Sequence, residues 1–212
     1  MTRILFQGDS ITDCGRSRDH DGFKGNGYPL RITGELNFEH PGEYEFINRA
    51  ISGNRIVDLY ARIKADFINL KPDVLSIHIG INDVWHEVEM QNGVDAEKFE
   101  KIYDMLLSEI KEALPDIKII LLGAFVTKAR ATEAAWDVFR PETEKRAEIA
   151  KRLAEKHGCV FVDLQSEFDK AIERHPEPYW TNEGVHPTEA GHELIKRAWM
   201  GAFTSSFAEK KK

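Results

Sequence analysis

The chain has 212 residues, 42% of them hydrophobic, which is the size of one compact domain with a sizeable core, so a single domain over residues 1–212 is expected. A formal net charge of −7, with basic residues scattered among acidic ones, excludes the concentrated positive footprint that nucleic acid requires. No apolar run approaches the roughly 20 residues needed to cross a bilayer, so no membrane partner is expected. Met1-Thr2-Arg3 leads straight into apolar sequence with no secretory leader, which points to a cytoplasmic protein.

Apolar runs of strand length recur at residues 3–7, 44–48, 74–79, 117–122 and 160–162. Several are apolar on both faces, as parallel strands covered by helices must be. Helix-like segments separate them. Residues 29–38 begin with Pro29, which suits a first helical turn; residues 57–70 stop at Lys71-Pro72, 96–114 at Pro115, and 142–157 at Gly158. Residues 165–173 and 188–203 complete the set, with Thr188 as N-cap. The alternation predicts an α/β protein, a three-layer α/β/α sandwich with a five-stranded parallel sheet. In the flavodoxin-like strand order the first strand lies between the second and third, and ligands bind beyond the carboxyl ends where the winding reverses. The segments after strands one, two and three then meet at one crevice. Residues 124–140 form the longest irregular stretch, expected to border that crevice or a subunit contact through Lys128, Arg130, Trp136 and Phe139. Residues 208–212 read as a solvated tail.

The first strand runs directly into Gly8-Asp9-Ser10, delivering a serine to the rim of the sheet. A serine hydroxyl is a weak nucleophile until a base takes its proton and donors receive the resulting oxyanion. A candidate base is His186, in Trp180-Thr181-Asn182-Glu183-Gly184-Val185-His186, where a carboxylate precedes the histidine by three residues. Candidate donors lie in Ser52-Gly53-Asn54 and in Gly80-Ile81-Asn82-Asp83. Glycine permits a close backbone approach, and asparagine offers an uncharged amide donor. Asp9 reads as structural, its carboxylate holding the turn through backbone N–H groups. The other histidines form no zinc-like set with cysteine or carboxylate, so no metal and no cofactor are expected. His78, inside an apolar strand, reads as a hydrogen-bonded core residue, whereas His192 falls on the last helix. Cys14 and Cys159 read as free thiols rather than a disulfide.

In these four ordered blocks, from Gly8 to His186, the sequence resembles the GDSL/SGNH esterase family. Ser10-Ile11-Thr12-Asp13-Cys14-Gly15-Arg16 and Gly80-Ile81-Asn82-Asp83-Val84-Trp85 look most like its carbohydrate acetylesterase branch, which includes acetylxylan esterases. The resemblance implies the SGNH hydrolase fold and a Ser10–His186–Glu183 triad. It also implies an oxyanion hole of the Ser10 and Gly53 N–H groups and the Asn82 amide. Its triad acid is usually Asp, so Glu183 is a departure. The substrate implied is a small acetylated sugar, such as a xylo-oligosaccharide, or another short-acyl ester. Asp13, Trp85 and Trp180 are the expected cleft residues, and a homo-oligomer is compatible with the branch. A lysophospholipase, thioesterase or broad arylesterase on the same scaffold is the alternative, and a non-catalytic carbohydrate-binding protein is a more distant one.

Overall fold

The computed structural model describes residues 1–207, so the tail read at residues 208–212 lies outside the described residues. Five strands form one parallel sheet: β1 Thr2–Gly8, β2 Tyr44–Asn48, β3 Val74–His78, β4 Lys118–Leu122 and β5 Val160–Val162. Their order is β2-β1-β3-β4-β5, which puts β1 between β2 and β3 as the flavodoxin-like arrangement requires. In register, Phe6 is partnered by Asn48 on one side and Ser76 on the other, and Gly8 by His78.

Around the sheet lie helices α1 Ser10–Asp13, α2 Tyr28–Glu39, α3 Ile56–Ala61, α4 Ile63–Asp66, α5 Ile81–Met90, α6 Ala96–Ala113, α7 Trp136–His157, α8 Leu164–Arg174 and α9 Glu189–Ser206. Side chains on a strand alternate between faces. On β1, Ile4 and Phe6 enter one core with Tyr28 of α2, Phe168 of α8 and Trp199 and Phe203 of α9. Leu5 enters the other core with Leu59 of α3, Phe99 and Leu107 of α6 and Leu153 of α7. Two covered faces explain why β1 is apolar at consecutive positions. Phe6 is the hinge of the first core, with ring centroids 6.0 Å from Tyr28, 6.4 Å from Phe46 and 5.9 Å from Trp199. Trp199 satisfies its indole N–H on the Ser76 hydroxyl at 3.0 Å, so a buried polar atom is kept at little cost.

Thr188 caps α9 as its sequence suggested, its hydroxyl accepting the Gly191 N–H. Three elements differ from the sequence pattern. The helix expected over residues 57–70 breaks into α3, α4 and a 3₁₀ turn at Ile68–Leu70, because Arg62 and Phe67 leave helical backbone. The Arg62 guanidinium donates instead to the Arg49 carbonyl and to Asn54 Oδ1. Helix α5 was not expected, and α7 begins six residues before residue 142, with Pro141 inside it. His78 is also a correction. It is buried, but neither ring nitrogen has a hydrogen-bond partner among the described residues, and the ring stacks on Phe125 at 5.7 Å. Burial holds its imidazole down at about 4, so it is a neutral packing residue.

Candidate active site

The site lies beyond the carboxyl ends of β1, β2 and β3. At Gly8 the backbone has φ +153°, and a Cβ there would sit 2.3 Å from the His78 carbonyl oxygen, so only glycine lets β1 end alongside β3. Asp9 then caps α1, Oδ1 accepting the Ile11 N–H at 3.0 Å, as expected of a turn-holding carboxylate. Burial pushes the Asp9 carboxyl up to about 7. Ser10 is the first residue of α1, so its N–H has no intrahelical acceptor and faces out of the helix start.

The Ser10 hydroxyl lies 2.8 Å from His186 Nε2. His186 Nδ1 lies 2.6 Å from Glu183 Oε1, and the same oxygen accepts the His186 backbone N–H at 2.8 Å. The longer arm of Glu is therefore accommodated by folding back over its own turn, so that one oxygen receives two donors three residues downstream. With the Nδ1 proton on a carboxylate, the Nε2 lone pair faces the serine. The Glu183 bond is the main influence holding the imidazole above its ordinary value of 6.5, against the opposing effect of burial. Burial alone raises the Glu183 carboxyl, but the bonds from the His186 ring and backbone leave it below its ordinary value.

This turn is braced from the side. The Thr127 N–H donates to the Gly184 carbonyl at 2.9 Å and the Ala131 N–H to the Glu183 carbonyl at 3.0 Å. The stretch expected to border the crevice thus does so through the backbone at Thr127 and Ala131 and through the Phe139 ring against Trp85, while Lys128 and Arg130 are exposed.

Gly53 has φ +83° and open space where a Cβ would stand, so glycine is needed there for its dihedral rather than for room. Asn82 is the second residue of α5, and its Nδ2 donates to the Asn54 carbonyl at 3.1 Å. An amide nitrogen carries two hydrogens, so one donor remains. Trp85, one turn along α5, places its ring 5.8 Å from that of His186 and edge-on to Phe139 at 6.3 Å.

Two expected cleft residues lie elsewhere. Asp13 is 1% exposed, and its Oδ2 accepts both the N–H and the hydroxyl of Ser52 at 2.9 Å as well as a bond from Arg18. Its place on α1 turns it inward, under the loop that carries Gly53. Trp180 is 7% exposed; its indole donates to the His175 carbonyl at 2.8 Å, and the Arg174 guanidinium covers its ring. It packs behind the His186 turn. Phe139, named in the stretch expected to border the crevice, lies beside Trp85, whereas Asp83, next to Asn82 on α5, was not singled out as a site residue from the sequence. Asp83 sits in a quoted motif and could have been found there. Both cysteines are free, and among the described residues no three His, Cys, Asp or Glu side chains are grouped to hold a metal ion.

A strand-delivered serine joined to a histidine and a carboxylate, at the winding reversal of a parallel sheet, has the form of an α/β serine hydrolase. The chain belongs to the GDSL-like lipase/acylhydrolase family, whose model matches residues 6–194. It is a carboxylic ester hydrolase on that fold. Over 205 residues it is 34% identical to an acetylxylan esterase of Geobacillus stearothermophilus, covering 93% of this chain and 92% of that one. The crystal structure of Axe2, an acetylxylan esterase from the same organism, matches with a TM-score of 0.86 at 31% identity, covering 99% of this chain and 97% of the other. A GDSL-like protein from Parabacteroides merdae matches with a TM-score of 0.90 at 37% identity, covering 95% and 94%.

Proposed function

We propose that this protein removes acetyl groups from acetylated xylo-oligosaccharides, with Ser10 as nucleophile. The observation that carries the reading is the continuous chain from Ser10 Oγ through His186 to Glu183, with links of 2.8 and 2.6 Å. Relatives named as acetylxylan esterases supply the substrate class.

In the first half-reaction Ser10 Oγ attacks the acetyl carbonyl carbon while His186 Nε2 takes the hydroxyl proton. The oxyanion is received by the N–H groups of Ser10 and Gly53 and by the free N–H of Asn82. Collapse breaks the bond to the sugar oxygen, which leaves as an alcohol carrying the proton from His186. Water then attacks acetyl-Ser10, giving its proton to the same histidine, and acetate departs as the serine is restored. Glu183 keeps the reactive tautomer and stabilises the imidazolium formed in each half. The ring of Trp85, partly exposed beside His186, suits the apolar face of a sugar.

No helix among the described residues is long and apolar enough to cross a membrane. Two free thiols fit a reducing compartment, and a cytoplasmic enzyme of this kind would act on imported oligosaccharides rather than polymer.

The test is a hydrolysis series on p-nitrophenyl acetate, butyrate and octanoate with peracetylated xylobiose, for the wild type and Ser10→Ala. Activity confined to acetyl esters, present on the sugar and abolished by Ser10→Ala, is the expected result. A preference for octanoate would instead assign a lipase or thioesterase, and activity surviving Ser10→Ala would remove the nucleophile.

A further inference from the structure

We propose that Asp13 and Asp83 are positioning residues that clamp the loop carrying Gly53 from opposite sides and so set the geometry of the oxyanion hole. The inference rests on the reading of Gly53 and Asn82 as oxyanion donors and adds what keeps those donors in register with Ser10.

The loop needs such a device. Residues 49–55 connect β2 to α3 outside the sheet, and the space where a Cβ of Gly53 would stand is open, so no neighbour packs on that side of the loop. A donor is effective only if it is already in place when the oxyanion forms, so a loop free to drift by about 1 Å forfeits on the order of 10² in rate. At the near end, Asp13 Oδ2 accepts the Ser52 N–H and the Ser52 hydroxyl, each at 2.9 Å. At the far end, Asp83 Oδ1 accepts the Ile56 N–H at 3.0 Å. Between them Asn82 Nδ2 holds the Asn54 carbonyl at 3.1 Å. The guanidinium groups of Arg16 and Arg18 both donate to the Ala50 carbonyl, at 2.6 and 3.0 Å, where the loop leaves β2.

Where the two carboxylates are attached matters more than the number of bonds. Asp13 is the last residue of α1, the helix that Ser10 begins. Asp83 follows Asn82 directly on α5. Each therefore ties the Gly53 loop to an element that already carries another donor, so the three donors are referenced to one another and not merely to the fold.

Burial makes a purely structural origin less economical. Asp83 is 0% exposed and its Oδ2 has no hydrogen-bond partner among the described residues. Burying a carboxyl group with an unused oxygen is unfavourable, and an apolar residue would pack there at lower cost. What an apolar residue could not do is accept the Ile56 N–H. Burial holds the Asp83 carboxyl up at about 8, so it is mostly a neutral acid at pH 7, still able to accept through Oδ1.

The experiment compares phenyl acetate with phenyl thionoacetate, in which sulfur replaces the carbonyl oxygen and accepts hydrogen bonds poorly. Wild type, Asp13→Ala, Asp83→Ala and the two Asn variants are assayed for kcat and KM, with circular dichroism as the folding control. Each Ala variant is expected to lose about 10- to 100-fold in kcat on the oxygen ester with KM within about twofold, and the oxygen-to-sulfur rate ratio is expected to fall. The Asn variants, which keep an acceptor, are expected to recover most of the kcat. Should an Ala variant not fold, Ser52→Ala removes one bond of the near clamp alone and is expected to lower the same ratio by a few-fold. Folded variants with unchanged kcat, or with both esters slowed by the same factor, would overturn the clamp. A wild type indifferent to sulfur substitution would show that the donor reading had failed, and the clamp with it, before any aspartate variant was compared.

Discussion

Replacing Glu183 by Gln removes a charge and almost no volume, and the geometry sets how much activity should go with it. One oxygen, Oε1, receives both the backbone N–H and Nδ1 of His186, at 2.8 and 2.6 Å. An amide oxygen in the same place can accept both, so Gln keeps the tautomer and loses only the charge that steadies the imidazolium. Hydrogen bonds to a charged partner contribute about 1.5–3 kcal/mol and neutral ones about 0.5–1.5, a difference of about 1–2 kcal/mol. At about 1.4 kcal/mol per decade, kcat should fall about 5- to 30-fold. A turned amide, with its NH₂ toward Nδ1, would impose the wrong tautomer, a fault that costs about 10⁴ in kcat. The pH profile supplies a second reading of opposite sign. The general base must be unprotonated, and Glu183 is the main influence holding His186 above 6.5, so the acid limb of kcat/KM in the wild type lies above that value. In Glu183→Gln the limb should move to lower pH even as the plateau drops. Steady-state rates on p-nitrophenyl acetate across the acid limb measure both. A plateau unchanged from wild type, or a limb that stays in place, would refute the role given to this carboxylate.

Trp85→Ala removes the ring beside His186 and is expected to raise KM for acetylated xylobiose several-fold more than KM for p-nitrophenyl acetate, since only the sugar has a face to lose; equal effects on the two substrates would count against stacking. Asp9 binds its proton more tightly when folded, at about 7 against 3.8 for the ordinary side chain, so wild-type stability should decline as pH rises through that window and level off above it. Asp9→Asn does not titrate and keeps an acceptor for the Ile11 N–H; urea denaturation should show it gaining on the wild type over the same window, and a gap constant with pH would contradict the assignment. Phe6→Ala, at a fully buried position against Tyr28, Phe46 and Trp199, should cost about 3–5 kcal/mol by denaturant titration, with loss well below that pointing to a core that collapses into the space.

The strands and the turn that carries Ser10 were legible in the chain because each rests on a local pattern, whereas the strand order was taken from the flavodoxin-like arrangement and is a matter of tertiary structure. Consecutive apolar residues such as Ile4, Leu5 and Phe6 can only be accommodated where both faces are covered, and the turn at Gly8-Asp9-Ser10 follows from a glycine and a capping carboxylate a residue apart. Helices α5 and the start of α7 were not legible, for reasons that lie in tertiary contacts. Gly80 gives α5 no side-chain cap, and the helix is held by Val84 and Trp85 packing into the core that contains Phe139. Pro141 would ordinarily argue against helix at Arg140, but the Arg140 side chain is gripped by both oxygens of Asp169 on α8, at 2.8 and 2.7 Å, and by Glu144. The direction of Asp13 and Trp180, and the way Glu183 folds back on His186, were decided at the same level. Spacing along a chain says which residues are near a site, but which way a side chain turns depends on the donors waiting for it, and Ser52, His175 and the His186 backbone are contributed by the folded surroundings.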